Sequence, residues 1–208
     1  MSQTRSNRAL RARDKRRKQL LNAATRVFAR KGYWSASITD IIQAAGVARG
    51  TFYLYFRSKR DVFLAIADDY RDEQEQFTHQ SGPGQAPLTP ENSRARIRAD
   101  FLRWLEFYRQ NIDAANLILR DATRIDPSAA RKREDLRQAF RSNLAKNVAR
   151  LQEAGIYHRN VSPELAAHFL VGMFDEIAAT CLQRARKKDL ARLADQYVEF
   201  AFRGLSAH

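Results

Sequence analysis

The chain has 208 residues, 44% of them hydrophobic and 29% charged, with a formal net charge of +14. That length and apolar content allow a substantial core and exclude global disorder, and the polar, basic first twenty residues argue against a secretory signal. Residues 1–60 hold 15 Lys and Arg but only Asp14 and Asp40, so +13 of the +14 lies in under a third of the chain, a concentration that calls for a polyanionic partner or a tolerance for self-repulsion.

Residues 1–13, with Arg5, Arg8, Arg11 and Arg13, are predicted to form a basic flexible arm. Lys15, Arg16, Arg17 and Lys18 carry the charge up to the first apolar helix face. Such an arm can track phosphates or enter a minor groove, and residues 1–10 fit a solvated tail equally well. Leu20, Leu21, Ala24, Val27 and Phe28 then recur at the spacing of one helix face, and Gly32 after Arg30 and Lys31 is a C-terminal stop. Ser37-Ile38-Thr39-Asp40 has the pattern of a capping box and opens a helix carrying Ile41, Ile42, Ala44 and Ala45 to Gly46. A third helix is predicted from about Ala48 to Phe56. Ser58 caps a fourth, with Asp61 in its first turn and Val62, Phe63, Ile66, Ala67 and Tyr70 on its inner face. Residues 79–92, holding three prolines and two glycines, predict a mobile surface loop. Further helices are predicted near 94–110, 112–122, 127–153, 162–184 and 187–203, with Pro127 and Pro163 each following a capping residue. The expected fold class is all-α, about nine helices and no strand.

Two short helices joined by a tight glycine turn make a helix-turn-helix, whose second helix enters the major groove of DNA. Ile41, Ile42, Ala45, Val47, Phe52 and Tyr55 fall where they lock the pair onto the first helix, leaving Arg49, Gly50, Thr51 and Tyr53 facing outward. Arg49 has the donors for guanine O6 and N7 or for a phosphate, and Thr51 suits a base edge or a thymine methyl. Gly50 lets the backbone approach the duplex closely. Tyr53 and Lys59 reach flanking phosphates, Lys59 aided by the positive end of its helix, and Thr39 reaches a phosphate on the other wall of the groove. Tyr55 fits either core packing or DNA contact. These seven residues are the candidate DNA-binding set.

Residues 14–66 resemble the DNA-binding domain of the TetR family of bacterial regulators. The resemblance rests on a first helix ending in Phe28-Ala29-Arg30-Lys31-Gly32-Tyr33, on Ser37-Ile38-Thr39-Asp40-Ile41, on the unbroken run from Ala44 to Phe56, and on Ser58-Lys59. One departure is Ala48, where members often carry Ser or Thr at the start of the reading helix; losing that cap typically costs about 1 kcal/mol and removes one phosphate donor. The resemblance implies a DNA-binding domain over 14–60 and a helical dimerisation and ligand-binding domain over 61–208. It also implies a ligand-responsive regulator, most often a repressor, that binds a palindromic double-stranded operator as a homodimer and is released by a small-molecule effector.

Periodicity in the second half agrees. In the helix 162–184, Leu165, Phe169, Met173 and Ile177 lie on one side and Ala166, Leu170, Phe174 and Cys181 on another, so the helix needs both its own core and a second subunit. The last helix, with Leu190, Leu193, Tyr197, Val198 and Ala201, is expected to join it in a four-helix bundle across a two-fold axis. Candidate ligand-binding residues are Phe101, Trp104 and Tyr108 on one helix, Phe140, Asn143 and Asn147 on another, and Phe169 and Met173 closing the site, for an apolar or amphipathic effector. Aromatic stripes at helical spacing are more often plain core than ligand walls. A constitutive DNA-binding protein would share the first 60 residues and lack the cavity. The single Cys181 fits a small buried residue in a reducing cytoplasm. The most apolar stretch, 165–182, contains His168, Asp175 and Glu176, so no membrane partner is expected. His79, His158, His168 and His208 show no metal spacing and no nucleophile–base grouping stands out, so no enzyme activity, metal or cofactor is expected.

Overall fold

A computed structural model of the chain describes residues 2–80, 89–182 and 186–205, and its regular structure is helical. The elements are α1 (Ser2–Lys31), α2 (Ile38–Ala45), α3 (Arg49–Tyr53), α4 (Lys59–Gln80), α5 (Pro90–Gln110), α6 (Ile112–Asn116), α7 (Ala122–Ile125), α8 (Pro127–Glu153), α9 (Pro163–Glu176) and α10 (Lys187–Leu205). Ten α-helices thus stand among the described residues where about nine were predicted. The difference arises because Leu117–Asp121 forms a π-helical turn that splits the predicted helix 112–122 into α6 and α7. A second π-turn, Ile177–Cys181, follows α9. The predicted loop 79–92 lies largely outside the described residues, although α4 extends to Gln80 and α5 begins at Pro90, behind a Thr89–Asn92 capping box. No helix of the described residues is long and apolar enough to cross a membrane.

Two compact units divide the chain, Met1–Glu75 with Asp113–Arg133, and Gln76–Ile112 with Glu134–His208. The boundaries differ from the predicted 13/14 and 60/61. At the first, α1 is continuous from Ser2, because no proline or glycine interrupts residues 2–31 and Arg, Lys, Gln, Leu and Ala all propagate helix. The predicted arm is therefore the first half of α1. At the second, the N-terminal unit keeps most of α4 and recruits residues 113–133, and a buried carboxylate explains the recruitment. Asp126 accepts from the Ser128 amide at 2.7 Å and hydroxyl at 2.5 Å, and pairs with the Arg60 guanidinium at the start of α4. The Ser128 hydrogen bonds, with Arg60, lower the Asp126 pKa to about 2. Lys132 reaches Asp68 at 2.6 Å, and Ala115, Leu117, Ile118 and Ala122 are buried.

The core of this unit is the apolar face of α1 closed over α2, α3 and α4. Leu20, Phe28, Ile41, Phe52, Val62 and Phe63 are fully buried, each side chain stabilising the fold by about 1.5–3 kcal/mol. Arg17 of α1 pairs with Asp69 of α4 at 2.9 Å.

The second unit packs α5, α8, α9 and α10 around an aromatic core. Phe101 of α5 stacks on Tyr197 of α10 with ring centroids 3.6 Å apart and planes 6° from parallel. Trp104 meets Phe77, Phe140 and Phe174 edge-on. Arg98–Asp195 at 2.5 Å and Arg94–Glu199 tie α5 to α10 along their exposed edge. After α8, Gly155 takes φ 71°, and Gln152 holds the return by donating to the carbonyls of His158 (2.6 Å) and Val161 (2.8 Å). Cys181, expected inside, is exposed.

Candidate nucleic-acid interface and effector cavity

The reading pair is fixed from below. Ser37 accepts from the Asp40 amide at 3.1 Å while the Asp40 carboxylate accepts from the Ser37 amide at 2.9 Å, closing the box that starts α2. Lys31 adds a contact at 2.5 Å and, ahead of the Ser37 bonds, lowers the Asp40 pKa to about 2. Gly46 sits at φ 63°, ψ 39°, a left-handed conformation that side chains with a Cβ seldom adopt, and there it turns the chain toward α3. Gln19 of α1 donates to the Ala45 carbonyl at 2.7 Å, tying the end of α2 to the first helix.

On α3, Phe52 is fully buried, which turns Arg49, Gly50 and Tyr53 outward and leaves Thr51 half-exposed. The Arg49 guanidinium lies 5.9 Å from the Tyr53 ring centroid, so a cation–π contact presents the two together. Thr39 is exposed on the first turn of α2. Tyr55 is half-buried, its ring 6.4 Å from that of Phe56. Ala48 occupies the N-cap of α3 in an extended conformation and contributes no side-chain hydrogen bond.

Lys59 differs from expectation. Its Nζ donates to the carbonyls of Tyr33 (2.7 Å), Ala36 (2.8 Å) and Trp34 (3.3 Å) and lies 4.5 Å from the Tyr33 ring centroid; burial lowers its pKa. Three donors meet three acceptors. The side chain here staples the α1–α2 connection to the start of α4 instead of pointing free toward a phosphate. The signal was the short non-helical connection before α2, where the carbonyls of Tyr33, Trp34 and Ala36 need a donor from outside a helix.

In the second unit a cavity of about 640 Å³ opens among α5, α8, α9 and α10, a size typical of small-molecule sites, which run roughly 300–1,000 Å³. Ser93, Arg96, Ile97, Asp100, Phe101 and Trp104 of α5 line one wall at intervals of one helical turn. Phe140, Leu144, Val148 and Leu151 of α8 form the facing apolar wall, and Leu170, Phe174, Tyr157, Tyr197 and Ala201 close it. The Tyr197 hydroxyl is spent on the Leu170 carbonyl at 3.1 Å. Along α8, Asn143, Lys146, Asn147 and Arg150 form an exposed polar rim, faced by half-exposed Arg96 and Asp100. Burial raises the Asp100 pKa, opposed by Arg96 and Arg103.

The structure brings five of the eight predicted ligand residues to this cavity: Phe101, Trp104, Phe140, Asn143 and Asn147. Tyr108 is buried outside the lining, its ring against Phe174 at 6.3 Å. Phe169 and Met173 do not reach it; Phe169 is 58% exposed, and Leu170 and Phe174, one position on, line the cavity in their place. A helix apolar on two sides does not declare which side is inner, and an error of one residue rotates the choice by about 100°. The rim cations Arg96, Lys146 and Arg150 were missed, although Lys146 and Arg150 each stand three residues after a chosen asparagine, Asn143 and Asn147, on one face of α8. Leu165, Phe169 and Phe200 leave large apolar side chains on the surface of this unit.

A model of the bacterial regulatory proteins of the tetR family matches residues 20–66. Over 195 residues the chain is 30% identical to the HTH-type transcriptional activator FasR of Mycolicibacterium smegmatis, covering 93% of this chain and 84% of FasR. Its fold is similar to that of the transcriptional regulator FadR from Bacillus subtilis in complex with stearoyl-CoA, with a TM-score of 0.69 at 20% identity over 90% of this chain and 98% of FadR. It is also similar to AibR in complex with isovaleryl coenzyme A and operator DNA, with a TM-score of 0.70 at 19% identity over 90% and 98% of the two chains.

Proposed function

We propose ligand-controlled operator binding for this chain, which belongs to the TetR family of bacterial regulatory proteins and is a DNA-binding transcriptional regulator, not an enzyme. The observation that carries the reading is the outward face of α3, with Arg49, Gly50, Thr51 and Tyr53 set on a fully buried Phe52 in the most basic part of the chain. Arg49 and Thr51 read base edges, and Tyr53, Thr39 and the main chain at Gly50 meet the backbone. Tyr55 supports the helix from its half-buried position. Lys59 acts by holding the loop before α2 in place.

The exposed Leu165 and Phe169 of α9 and Phe200 of α10 support a homodimer. Two copies then present two reading helices to half-sites about 34 Å apart, one turn of a palindromic duplex. The effector is an amphipath with an anionic head: its tail lies among Phe101, Trp104, Phe140 and Tyr197, and its head meets Lys146, Arg150 and Arg96. An acyl-CoA fits that division, and the FadR and AibR complexes hold molecules of this kind. The effector weakens DNA binding by as much as it prefers the non-binding conformation, and no more.

Repression by occlusion of a promoter is the first reading; activation is the second, because FasR is described as an activator. Selection of duplexes from a random pool by the full chain, followed by titration of the selected duplex complex with stearoyl-CoA, tests both halves. The expected outcome is a dyad-symmetric consensus whose complex dissociates with stearoyl-CoA and not with coenzyme A alone. No consensus removes the operator reading, and indifference to acyl-CoAs of every chain length removes the effector reading. A reporter driven from the selected sequence then gives the sign of regulation.

A further inference from the structure

Helix α1 carries a second charged surface that the reading helix does not use. Arg8, Arg11, Lys15, Lys18 and Arg26 recur at helical spacing, with Asn22 between the last two, and all are exposed. They fall on the side of α1 opposite the buried Leu20, Ala24 and Phe28. From Arg8 to Arg26 the stripe runs about 27 Å at 1.5 Å per residue. Asp14, the only acid of α1, lies off this line. Among the described residues no ion pair joins the five cations to an acid, whereas Arg17 on the packed side is paired with Asp69. Like charges three and four residues apart repel, and a polyanion laid along the stripe relieves that repulsion.

The place of the stripe is as telling as its charge. The Gln19–Ala45 hydrogen bond pins α1 against the end of α2, four residues before Arg49. The basic half of α1 therefore emerges at the end of the unit where the reading helix begins. From Lys18 it continues about 15 Å further, to Arg8.

We propose that this face of α1 is a phosphate rail, gripping duplex DNA beside the site read by α3 without reading its sequence. The proposal adds to the operator reading, and its test does not need the operator. The rail supplies salt-sensitive affinity and a longer protected footprint; α3 supplies preference.

The experiment compares the full chain with Arg8→Gln/Arg11→Gln/Lys15→Gln/Lys18→Gln, since glutamine propagates helix about as well as Arg and Lys. Fluorescence anisotropy with a random-sequence duplex is followed across salt concentrations. Each lost phosphate contact lowers the slope of log K against log salt by about 0.9, so a fall of about 3–4 is expected with helicity by circular dichroism unchanged. The double variant Arg8→Gln/Arg11→Gln, well ahead of Leu20 where the described buried face of α1 begins, should lower it by about 2. An unchanged slope in both, with helicity intact, overturns the proposal, as does a loss confined to binding of phosphatidylserine vesicles. A steep wild-type slope that falls in the variants, with no preference among sequences, would keep the rail and sink the operator reading.

Discussion

Ala48→Ser bears on how firmly the reading helix is seated. Ala48 holds φ −70° and ψ 151°, the extended geometry of an N-cap, and its carbonyl already accepts the amides of Thr51 (3.0 Å) and Phe52 (3.3 Å). Only the side-chain acceptor is missing. A serine hydroxyl at such a position stabilises a helix by about 1 kcal/mol, within a range of roughly 0.5–2. In a chain of this size that raises the unfolding temperature by about 2–4 °C. The hydroxyl also adds a neutral donor toward the duplex, for which a net gain of about 0.5–1.5 kcal/mol corresponds to a two- to tenfold tighter complex. Because no charge is added, the slope of affinity against salt should not move. Ala48→Gly separates the effects, since glycine caps within a few tenths of a kcal/mol of serine but brings no donor; it should stabilise the protein and leave the hydroxyl's share of affinity behind. Calorimetry and anisotropy of the three proteins on one selected duplex make the comparison. A lower unfolding temperature in Ala48→Ser, or a tighter complex with a steeper salt slope, would refute the capping argument.

Leu144→Trp fills the cavity from the α8 wall; isothermal titration should show stearoyl-CoA binding weakened tenfold or more, while the free protein still binds DNA. Phe169→Asp with Phe200→Asp places charge on the exposed apolar surface and should give monomers by sedimentation, with operator affinity lost. Asp126→Asn removes a carboxylate whose pKa is depressed to about 2 in the folded chain against about 3.9 unfolded. That group stabilises the fold fully above about pH 4 and progressively less as pH falls toward 2. Denaturation midpoints should therefore decline more shallowly over that window in the variant than in the wild type.

The N-terminal unit was legible because its signals are local. The Ser37–Asp40 box, Gly46 and Ser58 each satisfy main-chain groups within four residues, and the structure forms each as the sequence indicates. What the sequence hid depends on distant pairs. The recruitment of residues 113–133 rests on Arg60 and Asp126, 66 positions apart, and the staple of Lys59 to the loop before α2 spans more than twenty. In the second unit the aromatic stripe of α5 was visible and held five of the eight expected lining residues once α8 was added. The choice of Phe169 over Leu170 was not decidable, because both faces of α9 are apolar and only packing assigns one inward. The first half of α1 shows the opposite error: its charge suggested a tail, whereas its Arg, Gln, Ala and Leu residues propagate helix and no proline or glycine in 2–31 breaks one.

Hydroxyl-radical footprinting of the selected duplex, with wild type and Arg49→Ala in parallel, addresses the helix-turn-helix claim most directly. The wild type should protect two patches on one face of the duplex, about 34–36 Å between centres, and Arg49→Ala should weaken both and relax preference at one base position in each half-site by about 1–3 kcal/mol. Protection without two-fold symmetry, or a pattern and preference that Arg49→Ala leaves intact, would contradict the assignment of α3 as the reader.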